Sequence, residues 1–265
     1  MSRPTERFTT RADNYARYRP GYPQAAVTLL KDRCGLSAQA VVADVGSGTG
    51  ILTALLLESG AQVFGVEPND AMRAAAETAL STWPRFRSVK GTAEDTTLAP
   101  GSVDLLVAGQ AFHWFDVPKA RAEALRIIRA GGWGALLWNE RPRAASAFLA
   151  DYERLLLQHA PQYATISASR ANEATMREFF GGSMQLATFP NQQDLDFEGL
   201  EGRLMSSSYA PEPGDPGHAP MMAALRQLFA AHAREGRVVL PYETLVYFGR
   251  LKPAHQTGTR SAGAR

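Results

Sequence analysis

The 265-residue chain reads as an α/β protein built on a doubly wound, mostly parallel sheet. Three observations predict it. Short apolar runs alternate with segments of helical spacing from Val41 to about residue 138, the pattern of strands joined by right-handed helical crossovers. The run VVADV at 41–45 leads directly into glycines at alternate positions, Gly46, Gly48 and Gly50. A second run, AQVFGV at 61–66, ends in an acidic residue, Glu67.

In chain order, Pro23 suits the first turn of a helix reaching about Lys31, because its missing N–H has no partner to lose there. Strands are expected at 41–45, 61–66, 86–90, 103–108 and 133–138. Their continuous Val- and Leu-rich runs fit strands covered on both faces. Helices are expected between them at 51–59, 70–80 and 118–130. Asn69 or Asp70 can cap the second of these, and Pro118 fits the start of the third. Gly131-Gly132 then reads as the stop of that helix. After Asn139 the alternation breaks. Helices are expected over Ala144–His159, Ala171–Phe180, 198–208 and 219–234, a short strand at Leu186–Phe189, and a final strand at Leu245–Leu251. Residues 140–235 are thus read as the later sheet edge with helices folded over its carboxyl rim, above a pocket.

The turn after the first strand carries the chemistry. Glycines let a backbone turn tightly and approach a ligand where a side chain would clash, and open α/β sheets bind ligands at the carboxyl ends of their strands. The dinucleotide fingerprint requires a third glycine where this chain has Ile51. Glu67, about twenty residues beyond the glycines, can accept hydrogen bonds from both hydroxyls of a ribose. A carboxylate there disfavours a phosphate, which argues against NADP or ATP. Asp44 inside an apolar strand is costly to bury without a polar role.

The joint pattern resembles the class I S-adenosylmethionine-dependent methyltransferases. The carrying residues are Asp44 to Gly50 (DVGSGTG), Glu67-Pro68 with Met72, Gly91 to Asp95 (GTAED), Val103 to Val107 followed by Gln110 to Phe115 (QAFHWF), and Leu125 to Gly132. Tyr15 to Pro23 (YARYRPGYP) and the AFHWFD run are most similar to the small-molecule branch that includes the trans-aconitate and ubiquinone-type methyltransferases. The resemblance implies a seven-stranded Rossmann-like sheet with a helical cap. Its implied organisation is an amino-terminal helical lid at 1–35, a cofactor core at 36–140, a cap with the remaining strands at 141–252, and a disordered tail at 253–265.

The resemblance also implies roles. S-adenosyl-L-methionine would bind, leaving as S-adenosyl-L-homocysteine. Gly46, Ser47, Gly48 and Gly50 would pass under its amino-acid part, with Asp44 supporting the loop and the ammonium. Glu67 and Pro68 would meet the ribose, Met72 an adenine face, and Ala93 and Glu94 its edge. Gln110 and Ala111 would line the methionine side. Tyr15, Tyr18 and Arg19 would belong to the lid, Arg19 facing the cofactor carboxylate, since a guanidinium fork suits a carboxylate. Tyr18, His113, Trp114 and Asn139 are the candidates on the reacting side. His113 has two readings, a general base near its natural pKa or a packing residue of the FHWF cluster. Residues from Ser206 to Tyr209 can add polar contacts from the cap.

Composition excludes several classes. Hydrophobic content is 45%, charged content 20% and net charge +2, ordinary for a globular protein and no footprint for nucleic acid. The single cysteine, Cys34, rules out an internal disulfide and a thiolate cluster and fits a reducing cytoplasm. It precedes the first strand, away from the rim where a cytosine-methylating nucleophile would stand. No metal-ligand spacing, membrane span or secretory leader is read. The expected partner is a small molecule, bound by a monomer or homodimer. The competing readings are a cofactor-using enzyme that does not donate methyl, an NAD oxidoreductase, and a binding module without turnover.

Overall fold

In the computed structural model, residues 12–142, 146–164, 173–182 and 184–252 are described. The tail expected at 253–265, the first eleven residues of the lid, and the starts of the helices expected at Ala144 and Ala171 lie outside them. Helices α1 (Ala12–Tyr18) and α2 (Gln24–Cys34) precede the sheet. Then follow β1 (Val41–Val45), α3 (Ile51–Leu57), β2 (Gln62–Val66), α4 (Asp70–Ala79), β3 (Phe86–Val89), β4 (Val103–Gly109), α5 (Val117–Ile127) and β5 (Ile128–Glu140). The second half holds α6 (Ala147–His159), α7 (Glu173–Phe180), β6 (Gln185–Leu195), α8 (Phe197–Met205), α9 (His218–His232) and β7 (Val238–Arg250).

The strands form a seven-stranded sheet ordered β3-β2-β1-β4-β5-β7-β6. Pairs from β3 to β5 are parallel, while β7 runs antiparallel between β5 and β6. The order reverses between β1 and β4, which opens a crevice at their carboxyl ends. Successive strand residues face opposite sides, so Val42, Val63, Leu105, Val107 and Leu137 pack with α2 and α3 on one face. Ala43, Val45, Leu106, Leu136 and Trp138 pack with α5 and α7 on the other. A third cluster joins α6, α8 and α9 to the start of β7. Among the described residues no helix is long and apolar enough to cross a membrane.

Three expectations are corrected. The third crossover helix ends at Ile127, and Gly131-Gly132 lies inside β5 instead of stopping it. Val103 pairs with Ile128 and Leu105 with Trp133, so two steps along β4 match five along β5, and the excess residues bulge. Gly131 takes φ +77° there, and a Cβ on Gly132 would meet the Arg129 and Asp104 carbonyls at 3.0 Å. The strand expected at 186–189 extends over Gln185–Leu195 as the sheet edge, where Pro190 is tolerated because one side needs no partner. The last strand begins at Val238 and ends at Arg250.

Candidate functional site

A cavity of about 260 Å³ opens at the carboxyl ends of β1, β2 and β4. Its floor is the turn between β1 and α3. Gly46 and Ser47 donate their backbone N–H groups to the Val66 carbonyl at 2.8 and 3.2 Å, tying the turn to β2. Gly46 has φ +71°, and a Cβ there would stand 2.5 Å from the Cβ of Ala111. Only a glycine gives both the left-handed backbone and the space.

Glu67 follows β2 and is 8% exposed. Its two oxygens accept the Gly48 N–H at 2.9 Å and the Asn69 N–H at 2.8 Å. Burial raises its pKa, and those two N–H groups oppose the rise. Pro68 and Asn69 continue the wall. The Asn69 side chain caps α4 by accepting the Met72 N–H at 3.0 Å, which brings the Met72 methyl close to Gly48. Ala93 and Glu94 line the cavity from the loop after β3, held there because Glu94 accepts the Asp116 N–H at 2.8 Å.

Asp44 lines an adjoining recess with Tyr22, Ser47 and Gly48. It is 1% exposed. One oxygen accepts the Thr53 hydroxyl at 2.6 Å, and the other is buried without a partner. Burial pushes its carboxyl up to about 7 against the Thr53 bond, with the Glu67 charge adding to the rise.

The opposite wall comes from the end of β4. Gln110 sits at φ +58°, an uncommon conformation for a non-glycine residue and a mark of local strain. Its N–H bonds the Leu137 carbonyl at 2.9 Å and its side-chain amide donates to the Asn139 carbonyl at 3.2 Å. The chain then makes a short 3-10 turn, Phe112–Trp114. Phe112 is buried in the core, while Ala111, His113, Trp114 and Phe115 line the cavity. From α1 and the segment after it, Tyr15 and Arg19 close the near side, the guanidinium 4.7 Å from the Tyr15 ring centroid. Arg19 also donates to the Ser206 carbonyl at 2.9 Å. Ser208 and Tyr209 complete the wall from the cap.

Three candidates lie elsewhere. Tyr18 turns outward and donates to Glu198 at 2.8 Å, its ring packed over Gly202 of α8. A residue three positions from Tyr15 on a helix of about two turns shares its face only roughly, and α8 takes Tyr18. Asn139 is buried in an amide network, donating to the Gly21 carbonyl at 3.0 Å and accepting from Asn191 at 3.1 Å. Gly50 faces Leu80 under α3 instead of the cavity. Trp138 and Tyr22, given no site role in the sequence reading, line the cavity and the recess. Trp138 stands in a strand of buried apolar residues, so only its place near the strand's end marks it. Arg141 and Arg203 were also missed and have no motif.

The residues suit a nucleoside that carries an ammonium and a carboxylate: an orphaned carboxylate oxygen at Asp44, an acceptor at Glu67, an apolar wall at Met72 and Ala93, and a guanidinium at Arg19. Residues 43–136 match the family model described as a methyltransferase domain. An uncharacterised methyltransferase of Mycobacterium tuberculosis is 38% identical over 134 residues, which cover 51% of this chain and 52% of that one. The chain thus spans about half the length of such curated relatives. A methyltransferase-like protein of Schizosaccharomyces pombe is 22% identical over 251 residues, 93% of this chain and 96% of its own. Among solved structures, a protein described as a type II methyltransferase from Anaeromyxobacter dehalogenans shares the fold with a TM-score of 0.63 at 24% identity, covering 89% of this chain and 99% of that one.

Proposed function

Because residues 43–136 match a methyltransferase domain model and a relative 38% identical over 134 residues is named a methyltransferase, we propose that the chain is a class I S-adenosylmethionine-dependent methyltransferase that transfers a methyl group from S-adenosylmethionine to a small-molecule acceptor. The observation that carries this is the pair of carboxylates at the ends of neighbouring strands, Glu67 beside the Gly48 amide on the cavity and Asp44 with an unpartnered oxygen on the recess that adjoins it.

When bound, the cofactor supplies a methyl group already activated by its sulfonium. The protein's share is placement and exclusion of water. Glu67 holds the ribose hydroxyls, Asp44 the ammonium, and Arg19 the carboxylate. Met72 and Ala93 flank the adenine, with Glu94 at its edge. Gln110 and Ala111 stand on the methionine side. Trp114, Phe115 and Trp138 give that end aromatic faces, which attract a desolvated cation by about 0.5–2 kcal/mol without solvating it as water would. His113, on the same wall, takes a proton from the acceptor. Residues 141–252 form the acceptor-side cap. Cys34 lies in the apolar cluster between α2 and the sheet and lines neither the cavity nor the recess. A reducing cytoplasm is the setting these features suit.

Isothermal titration of the full chain with S-adenosylhomocysteine tests the cofactor half; no binding at sub-millimolar ligand overturns it. Mass spectrometry of the spent cofactor tests the reaction, which must yield S-adenosylhomocysteine and an acceptor heavier by one methylene.

A further inference from the structure

Behind the Ser208–Tyr209 wall lie two guanidinium groups largely withdrawn from solvent, Arg203 buried and the Arg141 side chain 11% exposed. Arg203 is 5% exposed; it donates to the Tyr242 hydroxyl at 2.9 Å and to the Ser207 hydroxyl at 3.1 Å. Arg141 donates to the Tyr163 hydroxyl at 2.9 Å and lies 5.2 Å from the Tyr152 ring centroid. A third, Arg19, faces the same region from the cavity. Neutral phenols, a serine hydroxyl and a carbonyl do not neutralise these charges. Among the described residues one carboxylate comes within 4 Å of Arg141 or Arg203, Glu153 at 3.9 Å from Arg141. It is already taken by the Tyr163 hydroxyl at 2.6 Å, and its side chain is 47% exposed. Buried charges without a counter-charge are costly, and natural proteins pair them. The Tyr152 hydroxyl, fully buried beside Arg141, has no hydrogen-bond partner.

Tyr209 links this cluster to the cavity. Its ring stands edge-on to Tyr163 at 5.0 Å, and it lines the wall. Burial alone would push its hydroxyl up, but Arg141 and Arg203 override burial and hold it at about 7, with Ser207 and Arg19 adding. The surroundings therefore favour a negative oxygen at this point.

We propose that Arg141, Arg203 and Tyr209 form the seat for a carboxylate group carried by the acceptor, so that the substrate is an organic acid anchored at the cap end of the cavity. A guanidinium fork matches a carboxylate in geometry as well as charge, and the anion supplies the counter-charge the cluster lacks. The proposal rests on the reading of the cavity as a cofactor and acceptor site.

The test compares benzoate, phenylacetate and citrate with their amides, and with inorganic phosphate, by titration of the full chain with and without saturating S-adenosylhomocysteine. At least one carboxylate is expected to bind at least about tenfold tighter than its amide. Arg141→Gln and Arg203→Gln should each erase that preference, and Arg141→Lys should keep most of it. Where Arg203→Gln does not fold, the wild type decides with Arg141→Lys. The wild type has a second readout: a bound carboxylate should lower the phenolate absorbance of Tyr209 at neutral pH, and the amide should not. Equal affinity for acid and amide, no binding by any of the three acids, binding of phosphate alone, or a preference that survives both glutamine variants overturns the proposal. Failure of S-adenosylhomocysteine to bind counts against the cofactor reading instead, and the acid–amide comparison without it remains readable.

Discussion

The Glu67 carboxylate accepts the Gly48 backbone N–H at 2.9 Å across nineteen residues of sequence, while its second oxygen accepts the Asn69 N–H at 2.8 Å. One side chain thus fixes the glycine turn, the start of α4 and the mouth of the cavity together. Glu67→Gln keeps one accepting oxygen and turns an amide N–H₂ toward a backbone donor. The expected cost is about 1–3 kcal/mol of folding stability, read by chemical denaturation. S-adenosylhomocysteine should bind about tenfold weaker or worse. A variant unchanged in both respects would remove Glu67 from the site.

The raised carboxyl of Asp44 predicts a pH dependence of defined sign. A carboxyl whose pKa is about 7 in the folded protein and 3.8 in the unfolded one binds a proton preferentially in the folded state. Its contribution to stability is therefore complete below about pH 4, declines as pH rises, and is gone above about pH 7, with a slope of at most about 1.4 kcal/mol per pH unit. Subtracting the stability of Asp44→Asn from that of the wild type isolates this slope. Ligand binding runs the other way, because an ammonium favours the ionised carboxylate. The affinity for S-adenosylhomocysteine should rise with pH through about 7, with proton release below it, and Asp44→Asn should flatten that rise. Titrations in buffers of different ionisation enthalpy check the release; a pH-independent affinity in the wild type would contradict the role.

Much of this site is legible in the sequence because parallel strand ends lie side by side. Gly46 follows β1 and Glu67 follows β2, and the in-register pairing of Val45 with Val66 makes them neighbours. The motif after β4 joins them for the same reason. What escaped the sequence depends on tertiary packing. Arg141 and Arg203 come from segments without turn or strand signatures, and only the folding of α6 and α8 over the rim gathers them beside Tyr209, which the sequence offered as the end of the 206–209 cap segment. The edge strand β6 was read too short because its residues alternate between exposed and half-buried and include Pro190, Asn191 and three glutamines. The end of α5 was misplaced because a bulge, not a helix stop, is what Gly131-Gly132 serves.

Gly46→Ala should separate the turn's backbone requirement from general tolerance of alanine. The new Cβ would lie 2.5 Å from the Ala111 Cβ on a backbone at φ +71°, and neither atom sits at the end of a flexible chain. A loss of about 1–3 kcal/mol is expected. S-adenosylhomocysteine affinity should fall with it, since relief requires the turn or the Gln110–Ala111 wall to move. Gly21→Ala is the control, because an added Cβ there meets nothing within 4 Å. Equal melting temperatures and affinities for the two variants would refute the argument.

Asn139 is tied into a buried hydrogen-bond network and does not line the cavity, and a substitution can tell a structural role from a role at the acceptor. Its amide donates to the Gly21 carbonyl at 3.0 Å, and its oxygen accepts from Asn191 at 3.1 Å and from the buried Thr244 hydroxyl. These bonds bind the end of β5 to β6, β7 and the segment before α2, and so set the backbone carbonyl that Gln110 grips. Alanine would strip the Thr244 hydroxyl of its acceptor in a 7%-exposed site, while the Gly21 carbonyl and the Asn191 amide would keep only their bond to each other at 2.9 Å. The expected loss is about 2–3 kcal/mol of stability, read as a lowered unfolding midpoint. Below that midpoint kcat should stay within about threefold of the wild type, because no reacting atom loses a contact; a change that small is under about 1 kcal/mol of barrier. A large fall in kcat at unchanged stability would return Asn139 to the reacting side of the cavity.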